Sequence, residues 1–355
     1  RLSVADKQLV AICRALVQQA KLLIMDEPTT ALTKKEVSSL FRLVLKLREK
    51  GIAILFVSHK LEEVFEIAET ITILRNGKLV TEGAMRDFDA DKFVYYMTGR
   101  TLEKGCFAGT EELGDELLCA DRLSAKTLFE EVSFKLYSGE VLGITGLLGS
   151  GRSELAKALF GMVPLSGGEI RIAGQPVRLC TVRDAIRSGI SYVPEDRLTE
   201  GLFLPHSISR NIAVGAFHKF FNRAGFLRQK KLDETVRHWI DELKIVTPSG
   251  ELPAQALSGG NQQKVVIAKW LENDPKILIL NSPTVGVDIG SKADIHACAR
   301  KLARQGMGVI IISDDISEIM QNCSRVLVMK KGRIVSEHKV SQLTEAELSQ
   351  QLRED

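Results

Sequence analysis

Val141-Leu-Gly-Ile-Thr-Gly146-Leu-Leu-Gly-Ser-Gly151-Arg152-Ser153 is the stretch that decides the fold. Residues 141–145 have strand character, the glycines interrupt it, and a helix is expected to open at Ser153. Strand, glycine-rich loop and helix, in that order, make a phosphate-binding loop. Its backbone N–H groups converge on phosphate oxygens, and the helix N-terminus adds a favourable dipole. Gly146, Gly149, Ser150, Gly151, Arg152 and Ser153 are the candidate phosphate-contacting residues, and Ser153 is also a candidate metal ligand. One position departs from the pattern. Arg152 stands where a lysine is usual, and a planar guanidinium cannot sit between two phosphates as a compact ammonium does.

Working outward, the chain repeats itself. Leu2-Ser3-Val-Ala meets Leu257-Ser258-Gly-Gly, LLIMDEPT (22–29) meets ILILNSPT (277–284), and LFVSHKLEEV (55–64) meets IIISDDISEI (310–319), all at an offset of 255. Gly77 falls on Gly332 at the same offset. A constant offset through four blocks points to a duplicated domain. Short β-branched strands (Leu22–Met25, Ala53–Val57, Ile277–Leu280, Val309–Ile312) alternate with helical stretches such as residues 34–50, stopped by Gly51. Continuous apolar strands between amphipathic helices predict an α/β fold, its mostly parallel sheet covered on both faces. Residues 101–115 are polar and aperiodic and read as a linker. The predicted organisation is therefore 1–100 as the C-terminal part of a first nucleotide-binding domain, then the linker, then 116–355 as a complete second one. The chain opens on Arg1 in the middle of a motif, so the first copy is expected to lack its opening section.

Composition narrows the function classes. With 48 basic and 45 acidic residues well mixed, the chain has no basic excess or stripe to suggest a nucleic-acid partner. Its six cysteines form no C-x-x-C pair, which argues against structural zinc. No apolar run approaches the roughly 20 residues needed to cross a bilayer.

LSGGNQQKVVIAKWL (257–271), the phosphate loop, MDEPTTALT (25–33), FVSHKLEEV (56–64) and YVPEDR (192–197) together resemble the ATP-binding-cassette family. The tandem arrangement is similar to the ATPase subunits of bacterial importers for ribose, galactose and related sugars. The resemblance implies a P-loop NTPase fold with a RecA-like core and a helical subdomain, here across 196–252. It implies ATP and Mg²⁺ as cofactors and membrane permease subunits as partners. A periplasmic or extracellular sugar-binding protein would act indirectly, and the location would be peripheral, on the cytoplasmic face of the plasma membrane. It also implies two composite sites between domains facing head to tail.

In the first composite site, Asp26 would hold Mg²⁺ and Glu27 would activate the attacking water. His59 would contact the γ-phosphate, while Ser258, Gly259, Gly260 and Gln262 would close the nucleotide from the other side. In the second, Arg152, Asn281, Ser282 and Asp314 replace lysine, Asp26, Glu27 and His59, and Glu195 takes the place of a glutamine. Ser3 belongs to a signature whose glycines have become Val4 and Ala5. Asp314 facing a γ-phosphate at about 5 Å would cost about 3 kcal/mol per unit charge at an effective dielectric of about 20. Hydrolysis is thus expected at the first site only. Two other readings are a soluble tandem ATPase acting on ribosomes or DNA, and a non-hydrolysing remnant. Phe129 could stack on adenine but is expected to be core, and the polar, helix-like tail 341–355 is expected to be simply solvated.

Overall fold

A computed structural model of the chain describes residues 4–17, 20–29, 32, 34–58, 60–75, 77–99, 101 and 114–353, with backbone only at 4–6, 8–9, 16 and 34–35. Ser3, His59 and most of the expected linker lie outside the described residues. The chain divides into two compact units. Unit 1 comprises residues 1–103 with 288–290, and unit 2 comprises 104–287 with 291–355.

Unit 1 contains α1 (Val4–Val17), β1 (Leu22–Asp26), α2 (Lys34–Glu49), β2 (Ala53–Val57), α3 (Leu61–Ile67), β3 (Thr70–Arg75), β4 (Lys78–Ala84) and α4 (Ala90–Thr98). β1 and β2 run parallel, Leu22 opposite Ala53 through Asp26 opposite Val57. The spacing of Leu40, Val44 and Leu47 gives α2 one apolar stripe, which buries Leu23 and Met25 on one side of the pair. α2 stops because Gly51 adopts φ +81°, a left-handed turn that residues with a Cβ resist. On the opposite side of the strands, Leu22, Ile24, Leu55 and Val57 are exposed.

Unit 2 contains β5 (Glu116–Ala125), β6 (Phe129–Tyr137), β7 (Val141–Thr145), α5 (Arg152–Leu159), β8 (Gly167–Ile172), β9 (Gln175–Val177), α6 (Val182–Arg187), β10 (Ile190–Val193), α7 (Ile208–Ala213), α8 (Gln229–Glu242), α9 (Gly259–Leu271), β11 (Ile277–Asn281), α10 (Ile289–Arg304), β12 (Gly308–Ile312), α11 (Ile316–Asn322), β13 (Arg325–Lys330), β14 (Arg333–Lys339) and α12 (Glu345–Arg353). Its main sheet has the order β10-β11-β12-β7-β13-β14, parallel except for the last strand. Alternate residues serve opposite cores. Leu278, Leu280, Val309 and Ile311 pack with α9 and the helical segment around α7 and α8, while Ile277, Ile279, Ile310 and Ile312 pack with β5, β6 and α5. That two-sided burial is the physical reason these strands read as unbroken apolar runs.

The elements from β1 to α4 recur bound for bound 255 residues further on, β1 as β11, α2 as α10, β2 as β12, and so to α4 as α12. Even the bulge between Ile73 and Leu74 has its counterpart between Val328 and Met329.

Two features differ from the sequence reading. Unit 2 has a second, wholly antiparallel sheet, β6-β5-β8-β9. Repeated register shifts along β5 break the alternation by which such a sheet is recognised. The C-terminal stretch is also not simply solvated, since α12 buries Leu348 and Leu352 in the core shared with α11 and β13. Phe129 is a core residue, 4% exposed.

Leu348→Ala should therefore destabilise unit 2 by about 2–5 kcal/mol. Tryptophan fluorescence during urea unfolding reads this directly, because both tryptophans (239 and 270) lie in unit 2. A midpoint identical to the parent's would return α12 to the status of a solvated tail.

Candidate functional site: a phosphate loop and two pairs of linked loops

β7 is fully buried and delivers the chain to the loop 146–151, after which α5 starts at Arg152. Gly149 and Gly151 take φ +80° and +93°. Gly146 is needed for a different reason: a Cβ there would lie 2.4 Å from the carbonyl oxygen of Met329 and 2.5 Å from Ser150 Oγ. The N-terminus of α5 has no side-chain cap, and Ser150 Oγ is buried without a hydrogen-bond partner among the described residues. Open helix N–H groups beside a buried, unmatched hydroxyl suit an anion with several oxygens.

Arg152 is turned back into the loop. Its Nη1 donates to the carbonyl oxygen of Gly146, its Nη2 lies 3.6 Å from Asp314 Oδ2, and its side chain is 8% exposed. Ser153 Oγ lies 3.4 Å from Asn281 Oδ1 and 3.5 Å from the exposed Glu195. Asn281 Nδ2 donates to Tyr192 Oη at 3.2 Å, and burial pushes that phenol up to about 12, so it stays protonated. A cavity of about 400 Å³ opens beside these groups, its lining including Ser153, Lys157, Arg197, Asn281 and the carboxylates of Glu195, Asp196 and Glu200. A divalent cation asks for hard, preferably charged oxygens. At this position the amide of Asn281 has replaced a carboxylate, so the metal fits poorly.

The loops after β1 and β11 have one backbone and different chemistry. Glu27 (φ 42°) donates its N–H to Val57 O at 2.9 Å, and Ser282 (φ 46°) donates to Ile312 O at 2.8 Å. Asp26 and Glu27 are exposed, whereas Asn281 and Ser282 are buried. In unit 1 the carboxylates of Asp26 and Glu27 offer the hard, charged oxygens that a divalent cation asks for.

Sequence reading missed what holds these loops. Thr29 Oγ1 donates to Glu63 Oε2 at 2.6 Å, and Ser58 Oγ donates to the same oxygen at 3.2 Å. In unit 2, Thr284 Oγ1 and Ser313 Oγ donate to Glu318 at 2.8 and 2.5 Å. The buried carboxylate ties the loop after one strand to the loop after its neighbour. The pairing of Thr-Ser-Glu across both blocks at the common offset was the available signal, but a glutamate on a short amphipathic helix reads as solvated.

On the signature side, Ser258 caps the start of α9 without a hydrogen bond to its N–H groups, and its Oγ accepts from Asn261 at 2.9 Å. Gly259 is packed so closely that a Cβ would meet Arg197 and Gly286 O at 2.7 and 2.8 Å, and Gly260 is buried. Gln262 is buried too, its Nε2 donating to Ala254 O at 3.3 Å. Arg197 bridges to the loop after β11, donating to Val285 O and Gly286 O at 2.8 and 3.1 Å.

The ABC transporter family profile matches residues 129–285. An import ATP-binding protein named for ribose, galactose and methyl galactoside, from Rhizobium etli, is 39% identical over 350 residues, covering 99% of this chain and 66% of that one. The ribose import ATP-binding proteins of Geobacillus kaustophilus (41% identical, 94% and 67% covered) and Bacillus subtilis (42%, 94% and 68%) are comparably similar. The chain belongs to the ATP-binding-cassette family. It spans about two thirds of the length of these relatives. The fold is shared with a nucleotide-free ATP-binding cassette from an ABC transporter at TM-score 0.56 and 22% identity, over 66% of this chain and 95% of that one.

In unit 2, burial alone would raise Glu318, but hydrogen bonding and charge from His296, 2.6 Å away, outweigh it, aided by Lys292 and Ser313. The carboxyl is held at about 2. A group depressed below its ordinary 4.5 contributes stability that is complete above about pH 5 and lost as the pH falls toward 2. Glu318→Gln should cost roughly 3 kcal/mol at pH 7, with the gap from the parent narrowing below pH 5. Urea titrations at several pH values test this, and a gap constant from pH 7 to 3 would exclude a depressed Glu318 carboxyl.

Proposed function

We propose that this chain is the ATP-hydrolysing subunit of a cassette importer for a monosaccharide of the ribose or galactose class. Hydrolytic groups are assigned to unit 1, and a nucleotide-binding phosphate loop without them to unit 2. The observation that carries the reading is the contrast at one backbone position. Asp26-Glu27 and Asn281-Ser282 follow equivalent strands with the same left-handed residue and the same hydrogen bond to the next strand, yet only the first pair carries carboxylates. The two units are read as copies of one cassette, on the support of the matching element bounds.

Asp26 would hold Mg²⁺ through water and Glu27 would orient and deprotonate the attacking water, with His59 at the γ-phosphate. Mg²⁺ supplies charge neutralisation on the transferred phosphoryl group. Phosphoryl transfer asks little more of a protein than such positioning. Ser258–Gly260, at the uncapped start of α9, would donate to the nucleotide of a facing cassette, as Gly146–Ser153 would to the nucleotide of unit 2. Gln262, buried against Ala254, would support that helix start from behind. Ser3 would take the corresponding place in the first signature. Glu195 would sit beside the phosphates of unit 2.

The sugar assignment rests on the names of the relatives. Among the described residues no helix is long and apolar enough to cross a membrane, so attachment would come through permease subunits, with a sugar-binding protein on the far side. The near-neutral charge supports no nucleic-acid partner.

ATP turnover by the assembled importer tests the reading. Glu27→Gln should lower the rate by about 10²-fold or more, whereas Ser282→Ala should leave it within about two-fold. Activity that survives Glu27→Gln and vanishes when Arg152 is replaced would reverse the assignment of the two units.

A further inference from the structure

We propose that the phosphate loop of unit 2 is a metal-independent site for a nucleoside diphosphate, with the Arg152–Asp314 ion pair standing where a third phosphate would lie. The inference rests on the reading of unit 2 as nucleotide-binding and adds which nucleotide it takes.

The loop keeps the parts that recognise phosphate through the backbone. Gly149 and Gly151 are left-handed, α5 begins without a side-chain cap, and Ser150, 5% exposed, turns an unpartnered hydroxyl toward the inside of the loop, where a Cβ on Gly146 would meet it. None of these contacts depends on a metal or on a lysine. An anion of two phosphates can use all of them.

The parts that would recognise a third phosphate are taken. The cation of a phosphate loop normally reaches between the last two phosphates. Here that cation is Arg152, buried, donating to Gly146 O, with its other nitrogen 3.6 Å from Asp314. Asp314 lies just beyond β12, in the loop that presents His59 in the other copy's sequence. Two departures that look independent along the chain, 162 residues apart, therefore form one ion pair. A third phosphate would have to displace a carboxylate from its own counter-ion and then lie beside it.

The metal position is closed in a similar way. Asn281 is neutral and fully buried, one amide face toward Ser153 and the other donating to Tyr192. Glu195 brings a carboxylate to 3.5 Å from Ser153. Asp196 and Glu200 also line the cavity, but Asp196 accepts hydrogen bonds from Leu198 and Thr199, and Glu200 is paired with Lys157 at 2.9 Å. With the amide of Asn281 beside Ser153 and the neighbouring acids engaged by these partners, a divalent cation is held weakly, and a diphosphate bound by backbone N–H groups does not require one.

Calorimetric titration of the 355-residue chain with ADP and with ATP, each in Mg²⁺ and in EDTA, tests this. ADP should bind about ten-fold more tightly than ATP, and EDTA should change ADP affinity by less than about three-fold. Asp314→Asn, exposed and nearly isosteric, should raise ATP affinity about ten-fold while leaving ADP affinity within about three-fold. ATP binding more tightly than ADP, loss of ADP binding in EDTA, or an unchanged ATP-to-ADP ratio in Asp314→Asn would each overturn the proposal. Binding of neither nucleotide would overturn the broader reading of unit 2 as well, which separates the two failures.

Discussion

The loops that follow β1, β2, β11 and β12 depend on one interaction: a buried glutamate accepting hydrogen bonds from a threonine after one strand and a serine after the next. A carboxylate moved out of water is costly unless its lone pairs are filled and its charge is countered. Satisfying Glu63 or Glu318 thus fixes both loops at once. Parallel strands place those loops side by side at their C-terminal ends, where an α/β sheet presents its reactive groups. The left-handed Glu27 and Ser282 sit within this frame, each held by the carbonyl of the adjacent strand. The geometry of these loops is set by buried groups rather than by the exposed residues they carry.

With the frame held, the side chains at its rim are free to change. Asp26 and Glu27 are exposed where Asn281 and Ser282 are buried, although the backbone hydrogen bond beneath them is the same. In the phosphate loop, the arginine that replaces lysine is not left as a misfit in open space. Its fork finds a backbone oxygen and a carboxylate, partners that a lysine's single ammonium would satisfy less fully. The damage expected from a list of replaced residues is, in three dimensions, a rearranged set of contacts around Arg152.

Much of this could be read along the chain, for physical reasons. Strands buried on both faces, such as Ile277–Asn281 and Gly308–Ile312, leave unbroken apolar runs, and the constant offset placed their partners in unit 1. The phosphate loop was legible because its glycines are demanded by backbone geometry. The antiparallel sheet was not, since the shifts along β5 scramble its period. The burial of α12 rests on two leucines in a helix otherwise polar, too few to outweigh its composition. The Arg152–Asp314 pair and the buried carboxylates were hidden for a different reason: each residue is individually ordinary, and only the fold brings them together.

Comparing the two units residue by residue separates what holds the frame from what was traded. Thr29, Ser58 and Glu63 recur as Thr284, Ser313 and Glu318, but the counter-charge does not. In unit 1 it comes from Lys60, half-exposed and 3.0 Å from Glu63. At the matching place unit 2 has Asp315, a second negative charge one turn from Glu318. Left alone, that change would strand a buried carboxylate, a defect that costs several kcal/mol. Two further differences remove the problem. His296, where unit 1 has Phe41, reaches Glu318 from the core at 2.6 Å, and Lys292, where unit 1 has Val37, pairs with Asp315 at 2.6 Å. The three substitutions make sense only together, because the charge on the buried glutamate must be answered from some side.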